Sequence, residues 1–498
     1  MQIYKEIQTA KNGMQIPVFL SGRTMESRYN PERDSQNLLN TITEKSDFFL
    51  VLGIGSGSFI NLLAEKFPKA RIAAIELYKE DITFLEQLPL IKSLQQNPLI
   101  HFCSLDQLES FLIQNYLPAK FGELKIIEQR AWVNENSEQI QKINSILNRT
   151  IGIISADFSV QAHFGKIWTS NIINNSKLAE KYNSIEEYKK IISNNHKKAL
   201  IAGAGPSLDK TLDTVIQNNR NDYYIIATDT AGLSLTRRGI IPDVVVSIDA
   251  QAVSYNHFIS SNINQNTIYA FDLCSNFSAV KHICSTNNKA LFFCSGHPLA
   301  TAINNSCSSP LPLFFSGAGT VTITALDMAV HAGFKEILIL GADFSYSNGK
   351  AYTKGTYLDT LYNAASSKLK ESEEVFSKLM FRTELLKLED NKTTTAVLEA
   401  YKSSLEKYLL EKNISFSKKN DIYELTVPSD IQNPFVKEKT TSFSLTPFMN
   451  KIKAADIYEA ETILLPYLSW LRNNKKYKNY EYEELLKLAL DTIVSYNI

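Results

Sequence analysis

Aspartates at the ends of short apolar runs are the residues of this chain whose types and spacing most directly suggest chemistry. Asp229 with its neighbour Thr230, Asp249 and Asp343 all occupy such positions. The runs are typical of buried parallel strands, whose carboxyl ends meet at one edge of a sheet, where open α/β sheets bind ligands. Carboxylates and hydroxyls at this edge suit a ligand that carries hydroxyl groups. The competing interpretation for any one aspartate is that it caps the helix that follows.

Two glycine-rich turns open helices in the same part of the chain. The first turn follows the apolar run 199–202, and the second follows residues 313–315. Glycine lets backbone N–H groups approach a phosphate, and the positive end of the helix dipole favours an anion. With the aspartates, the turns indicate a cleft for a charged, hydroxyl-rich ligand such as a nucleotide-sugar. The turn residues are Gly203, Ala204, Gly205, Pro206, Ser207, Ser316, Gly317, Ala318, Gly319 and Thr320.

A third glycine-rich turn, residues 53–57, lies near the N-terminus between an apolar strand and a helix. The next predicted strand, residues 71–75, ends at Glu76. This order is a Rossmann-type fingerprint. It resembles the first motif of S-adenosylmethionine-dependent methyltransferases, and that resemblance implies that Glu76 would hold ribose hydroxyls. We favour the alternative, a structural or protein-docking Rossmann domain, with further strands at 99–102 and 151–154.

The bulk composition excludes several classes of protein. The 498 residues carry 52 basic and 52 acidic side chains, so no net charge draws the chain to nucleic acid or to an anionic membrane. No apolar run approaches the roughly 20 residues of a membrane span, and the first residues lack the apolar core of a signal peptide. Five cysteines without a CxxC pair favour reduced thiols. We expect a cytoplasmic protein with no nucleic-acid partner and assign no metal ligand.

The pattern of elements predicts an α/β protein in three parts. Residues 1–165 form a Rossmann-like domain, residues 166–430 form a central Rossmann-like domain with both later glycine turns, and residues 431–498 form a helical region. We expect two amphipathic helices in this last region, after a linker that contains Pro434 and Pro447. A packing role is the simpler interpretation of these helices, and a docking surface for a protein acceptor is the alternative.

Several motifs together resemble the motility accessory factor (Maf) flagellin glycosyltransferases. They occupy residues 27–34, 168–175, 202–209, 227–231, 242–249 and 333–343. The combination covers most of the chain. It implies a glycosyltransferase that supports flagellar assembly and motility, with serine or threonine of flagellin as the acceptor and a CMP-activated nonulosonic acid of the pseudaminic, legionaminic or sialic type as the donor.

The central part is also similar to bacterial sialyltransferases that use CMP-sugars. The resemblance implies that Asp229 and Thr230 face the nucleotide or the sugar. It places Gly203, Ala204, Gly205, Ser316, Gly317 and Asp343 along the CMP pocket. Those enzymes have asparagine where Ala204 stands and tyrosine where Ser345 stands. Their catalytic histidine lies beyond the strand that ends near Asp343, whereas this chain has no histidine after His331. The catalytic base is therefore unassigned, and Tyr352, Lys354 and Asp359 are only weak candidates.

Two alternatives stay open. The turn at 203–209 also resembles 6-hydroxymethylpterin diphosphokinases of the archaeal type, in which diphosphate transfer needs magnesium. Asp229, Asp249 and Asp343 could supply the ligands, so the requirement for a divalent metal is not decided by the sequence. The second alternative is a flagellin-binding protein without catalytic activity.

Overall fold

The computed structural model describes most of the chain. The described residues are 2–43, 46–216, 220–259, 263–287, 289–317, 319–347, 349–364, 380–381, 383–388, 392–429, 431 and 443–496. Ala318, one of the predicted site residues, lies outside them.

The chain divides into two compact units. The first consists of Met1–Gly165 and Leu465–Ala489, and the second consists of Lys166–Leu464 and Leu490–Ile498. The change of unit after residue 165 falls at the predicted end of the N-terminal domain. The residues predicted as a separate C-terminal region are distributed between the two units.

The first unit contains a parallel sheet and a hairpin. Its strands are β1 (Tyr4–Thr9), β2 (Gln15–Phe19), β3 (Phe48–Leu52), β4 (Arg71–Glu76), β5 (Ile100–Ser104) and β6 (Leu124–Glu128). The sheet has the order β5-β4-β3-β6 with parallel pairing throughout, and β1 pairs antiparallel with β2. All five residues of β3 are buried, as expected for a strand covered on both faces.

Helices cover the sheet of the first unit. They span Pro31–Asn40, Ser58–Lys66, Lys79–Leu85, Pro89–Leu94, Leu108–Asn115, Pro118–Phe121 and Arg130–Glu135, and a long helix follows at Ser137–Ala179. The strand predicted at 151–154 is wrong, because these residues belong to the long helix. Ile143, Leu147 and Ile154 are buried positions around this run, and their helical spacing outweighs the short apolar run.

The second unit is built around an eight-stranded sheet. The described strands of this unit, which include those of a second, smaller sheet, are β7 (Lys198–Ala202), β8 (Tyr223–Thr228), β9 (Val244–Ser247), β10 (Ile268–Asp272), β11 (Ala290–Phe293), β12 (Glu336–Leu340), β13 (Tyr346–Ser347), β14 (Leu386–Lys387), β15 (Lys392–Thr394), β16 (Ser415–Lys419) and β17 (Ile422–Thr426). The main sheet has the order β11-β10-β9-β8-β7-β12-β17-β16, and its first six strands are parallel. The strands β13, β15 and β14 form a separate small sheet.

The strand order reverses at β7, which lies between β8 and β12. Open α/β sheets bind ligands in the crevice outside the carboxyl ends of the two strands at such a switch point. The helix Val321–Ala332 packs on β7, β8 and β9 and returns the chain to β12, so that its N-terminus lies at the same sheet edge as the turn after β7. The remaining helices are Ser184–Ile192, Leu208–Ile216, Asp229–Arg237, Asn256–Ile259, Phe277–Thr286, Pro298–Ser306, Tyr357–Ala364 and Ala396–Glu411.

The described residues 443–496 are mainly helical, as the sequence predicts for the end of the chain, but they hold three α-helices rather than two. They span Thr446–Ala454, Glu461–Asn473 and Tyr482–Ser495. The additional helix begins at Thr446 and has Pro447 in its first turn. An N–H in the first turn has no acceptor within the helix, so the N–H that proline lacks is not missed there. With a parallel sheet and covering helices in each unit, the predicted α/β fold class is confirmed.

Candidate functional site

The turn after β7 packs directly against the end of β12. Gly203 N–H donates to the carbonyl oxygen of Leu340 at 2.8 Å, and Gly205 N–H donates to that of Gly341 at 2.8 Å. A Cβ atom on Gly203 would lie 2.6 Å from the carbonyl oxygen of Gly341. The glycines of this turn therefore allow two backbone segments to touch. The sequence suggests that the N–H groups of this turn bind a phosphate. In the structure, the N–H groups of Gly203 and Gly205 donate to backbone carbonyl oxygens instead.

Asp343 lies at the centre of this contact. Its Oδ2 accepts a hydrogen bond from the backbone N–H of Ser207 at 3.1 Å, at the start of the helix Leu208–Ile216. Its Oδ1 is buried and has no hydrogen-bond partner among the described residues. Burial raises the pKa of this carboxyl, while the hydrogen bonds from Ser207 lower it. Oδ1 is thus a buried acceptor, suited to a hydroxyl or amino group of a ligand.

Asp229 lies at the tip of β8 in a network of short hydrogen bonds. Its Oδ1 accepts from the backbone N–H of Thr230 at 2.7 Å and from Thr230 Oγ1 at 3.1 Å. Its Oδ2 accepts from Ser247 Oγ at 2.6 Å. The cap of the following helix is Thr228, whose hydroxyl accepts from Ala231 N–H at 3.3 Å. Asp229 is therefore not the N-cap of this helix, although its Oδ1 accepts one of the N–H groups of the first turn.

Asp249 follows β9 and belongs to the same cluster. Burial raises its pKa, and the charge of Asp229 raises it further, whereas the N–H of Gln251 at 2.9 Å lowers it. Burial, chiefly, raises the pKa of Tyr401 and of Tyr357, and the charge of Asp249 adds to both shifts. The structure therefore brings Asp229, Thr230 and Asp249 together, as predicted from their positions at strand ends.

The second glycine turn lies beside the helix Ala396–Glu411. Gly317 has a φ of +56°, and a Cβ atom there would lie 2.6 Å from Ser404 Oγ and 2.7 Å from a methyl of Ile323. The N–H groups of Gly319 and Thr320 both donate to the carbonyl oxygen of Ser316, at 3.0 and 3.1 Å. This turn, like the first, satisfies backbone N–H groups internally.

The loop at 349–356, which carries the sequence candidates Tyr352 and Lys354, is fastened onto the first glycine turn. Thr353 N–H donates to the carbonyl oxygen of Ala204 at 2.9 Å, and Thr353 Oγ1 donates to Asp209 at 2.5 Å. Tyr352, a weak candidate from the sequence, is held in this loop. Burial, chiefly, and the charges of neighbouring tyrosines and of Asp229 raise its pKa to about 12. The loop therefore adds a tyrosine to the surroundings of Asp229.

The motif at 168–175 holds the loops of the sheet edge in place. Asn171 Nδ2 donates to the carbonyl oxygens of Ala250 and Cys274, at 3.2 and 3.0 Å. Asn175 Nδ2 donates to those of Leu273 and Ser275, at 2.9 and 2.7 Å. Because Ala250 follows Asp249, Asn171 ties the segment that carries this aspartate to residues 273–275, which both amides hold. Asn171 and Asn175 together are called the asparagine clamp.

The turn at 53–57 in the first unit is filled by the protein's own side chains. Glu76 accepts from Tyr4 OH at 2.9 Å, from Ile54 N–H at 2.7 Å and from Trp132 Nε1 at 2.7 Å. A Cβ atom on Gly53 would lie 2.6 Å from the ring of Trp132. Glu76 is therefore already hydrogen-bonded to protein groups, and the geometry favours the structural role for this unit over the cofactor role.

Glu26 completes this packing and makes the first unit sensitive to pH. Its Oε1 accepts from the backbone N–H of Ser56 at 2.7 Å, and its Oε2 is buried without a partner among the described residues. Burial raises its pKa from 4.5 to about 7, more than the bonds from Ser56 lower it. A proton on Oε2 is thus favoured in the folded state.

We predict that raising the pH from 4.5 through 7 destabilises the first unit. The folded state keeps a proton on Glu26 that the unfolded chain releases near pH 4.5, so the extra stability is complete below 4.5 and is lost above 7. Linkage puts the loss at up to about 3 kcal/mol. Urea unfolding between pH 4.5 and 7 should show this loss of stability in wild type and a smaller loss in Glu26→Gln. An identical slope in Glu26→Gln would contradict the assignment, and the exposed Glu65→Gln is the control.

Two kinds of feature are absent from the residues that the structure describes. No group of three or more histidine, cysteine, aspartate or glutamate side chains in these ranges is arranged to hold a metal ion. No helix in the same ranges combines the length and the apolar character needed to cross a bilayer.

The comparisons with known proteins concern different parts of the chain. A family model described as "6-hydroxymethylpterin diphosphokinase MptE-like" matches residues 170–349. Two proteins of Treponema pallidum (strain Nichols), each described as uncharacterized, are similar in sequence. One is 36% identical over 149 residues, which are 30% of this chain and 69% of that protein. The other is 37% identical over 113 residues, 23% of this chain and 40% of that protein. The chain belongs to the same protein family as the first of them.

One solved structure aligns along nearly the whole chain. It is a Maf glycosyltransferase from Magnetospirillum magneticum AMB-1, and the alignment covers 98% of this chain and 90% of that one, with a TM-score of 0.44 and 12% identity. The resemblances noted in the sequence, to Maf glycosyltransferases and to 6-hydroxymethylpterin diphosphokinase-like proteins, both have a counterpart among these comparisons.

Proposed function

We propose that the chain is a cytoplasmic glycosyltransferase that moves a nonulosonic acid from a CMP-sugar to serine or threonine of flagellin. The motifs that resemble Maf glycosyltransferases support the reaction class, the donor and the acceptor. The observation that carries the proposal is the row of carboxylates along one sheet edge. It runs from Asp343 at the switch point, whose Oδ1 is buried, to the buried Asp229 and the half-buried Asp249 beyond the tips of β8 and β9.

The chemistry of this edge favours a ligand with many hydroxyl groups. The carboxylate of Asp343 lies at the start of the helix Leu208–Ile216 and accepts the hydrogen bond of the Ser207 N–H. This N–H is a donor that could otherwise bind a phosphate. A carboxylate with a buried free oxygen binds a ribose hydroxyl or a base amino group well, whereas it repels a phosphate. A CMP-sugar offers one phosphate and many hydroxyls, and a nucleoside triphosphate offers three phosphates.

Replacing Asp343 with asparagine tests the placement of CMP. We expect donor affinity to fall about tenfold to hundredfold, since hydrogen bonds to charged groups contribute roughly 1.5–3 kcal/mol. The readouts are CMP binding by calorimetry and the mass added to recombinant flagellin incubated with a CMP-nonulosonic acid. Asp222→Asn, at an exposed position just before β8, is the matched control. Unchanged binding in Asp343→Asn would contradict the placement.

A diphosphokinase is the second candidate, because the family model of that description matches residues 170–349. In this alternative the same sheet edge would bind ATP or GTP together with magnesium, but Asp229, Asp249 and Asp343 do not form a three-carboxylate group arranged to hold the ion. The two candidates differ in the nucleotide they bind and in their dependence on magnesium, so a ligand panel separates them.

A further inference from the structure

His257 is the one histidine that the described residues place in contact with the aspartate cluster. It lies in the short helix Asn256–Ile259, and its Nε2 is 3.5 Å from Thr230 Oγ1. Its ring meets the ring of Tyr357 edge-on, with 4.7 Å between centroids. Asp249 is near enough for its charge to interact with that of His257. The cluster thus surrounds an imidazole with two carboxylates, a hydroxyl and a tyrosine.

The hydrogen bonds of Thr230 determine which nitrogen of His257 carries the proton. Thr230 Oγ1 donates its hydrogen to Asp229 Oδ1 at 3.1 Å, and Asp229 is fixed in turn by Ser247. Thr230 Oγ1 can therefore only accept from His257, so Nε2 is the protonated nitrogen of the neutral ring. Nδ1 then carries the lone pair. The chain Asp229–Thr230–His257 orients the ring in the way that a carboxylate orients a catalytic histidine.

The spacing of the strands sets the distance between the aspartate cluster and the switch-point crevice. Neighbouring strands are about 4.8 Å apart, so the tip of β9 is roughly 10 Å from the tip of β7. A donor with its nucleotide at the crevice between β7 and β12 would extend its sugar along this edge, over β8 and β9. The inference that follows rests on the proposed function, which supplies this donor.

We propose that His257 is the general base of the transfer reaction. Nδ1 removes the proton of the acceptor hydroxyl as the acceptor oxygen forms its bond to the anomeric carbon. The bond from that carbon to the phosphate oxygen breaks, and its electron pair leaves with CMP. The carboxylates of Asp229 and Asp249 stabilise the imidazolium until the proton passes to solvent. Sequence comparison missed His257 because it precedes the strand after which the sialyltransferases place their base.

The test compares His257→Ala with wild type, using CMP-N-acetylneuraminic acid as the donor and flagellin as the acceptor. Losing a general base should slow transfer about a hundredfold to ten-thousandfold. CMP affinity should stay within threefold, and added imidazole should restore part of the rate. His196→Ala, at an exposed position before β7, is the control. Transfer by His257→Ala within threefold of wild type, or a loss that imidazole does not restore while flagellin still binds, overturns the proposal.

The tautomer provides a test that needs no sugar. Nitrogen NMR of selectively labelled wild type, at a pH where the ring is neutral, should show the hydrogen of His257 on Nε2, and Thr230→Val should lose this preference. A hydrogen on Nδ1 in wild type overturns the assignment of the base. If wild type fails to bind CMP, the proposed function fails, whereas normal CMP binding with an unaffected His257→Ala rate rejects only the role of His257.

Discussion

Replacing Gly205 with valine should lower the free energy of unfolding of the second unit by about 3 kcal/mol, the upper range for overpacking, and should abolish CMP binding. A Cβ atom at this position would lie 1.9 Å from Asp343 Oδ2 and 2.7 Å from the carbonyl oxygen of Gly341. The carboxylate can rotate away, but the carbonyl belongs to the end of β12 and cannot move independently. The measurement is urea unfolding of the full chain, followed by calorimetry with CMP.

The sequence alone predicts a different result for Gly205→Val, namely loss of flagellin modification in a protein that still folds. The structure corrects this expectation, because the turn is packed against a backbone rather than open to a ligand. Gly319→Ala is the control, since a Cβ atom there meets nothing within 4 Å and only the positive φ of 89° opposes it. That strain should cost about 1–2 kcal/mol. Equal stability of Gly205→Val and wild type would refute the close packing of β7 and β12.

Replacing Asn175 with aspartate should be the most destabilising change in the asparagine clamp. The side chain is fully buried, and its Nδ2 donates to the carbonyl oxygens of Leu273 and Ser275. Aspartate would remove both donors and place a carboxylate against two carbonyls. We expect a loss of about 3–5 kcal/mol, as for a buried charge left without its partner.

Chemical unfolding at two pH values measures this loss and its cause. The stability of Asn175→Asp should partly recover at pH 5, where the buried carboxyl binds a proton and regains one donor. Asn174→Asp, the neighbouring position, should cost less than about 1 kcal/mol, since the amide of Asn174 bonds within its own helix at 2.8 Å to Ser170. Similar losses in the two variants would argue against the clamp.

The positions of the predicted site residues followed from local patterns. Apolar runs of four to six residues predicted β7, β8 and β9, and each aspartate at the end of a run came to the same sheet edge because the strands are parallel. The packing role of the glycines in the turn after β7 could not be predicted from local patterns. Gly203 and Gly205 contact the end of β12, more than 130 residues later in the chain, and no local pattern encodes that contact.

The errors also have physical causes. The apolar run at 151–154 satisfies the pattern of a short strand, but the buried positions on either side repeat with the period of a helix. Trp132 fills the N-terminal glycine turn from a helix that bears no sequence motif. His257 looks like an ordinary polar residue in the sequence, since its contacts with Thr230 and Tyr357 come from separate elements.

The central claim is that the sheet edge of the second unit binds CMP, and a calorimetric panel tests it most directly. Wild type and Asp343→Asn are titrated with CMP, ATP, GTP and S-adenosylmethionine, with and without magnesium. The account predicts selective binding of CMP to wild type, independent of magnesium and weakened in Asp343→Asn. Selective, magnesium-dependent binding of ATP or GTP, with no binding of CMP, would contradict the account and favour the diphosphokinase.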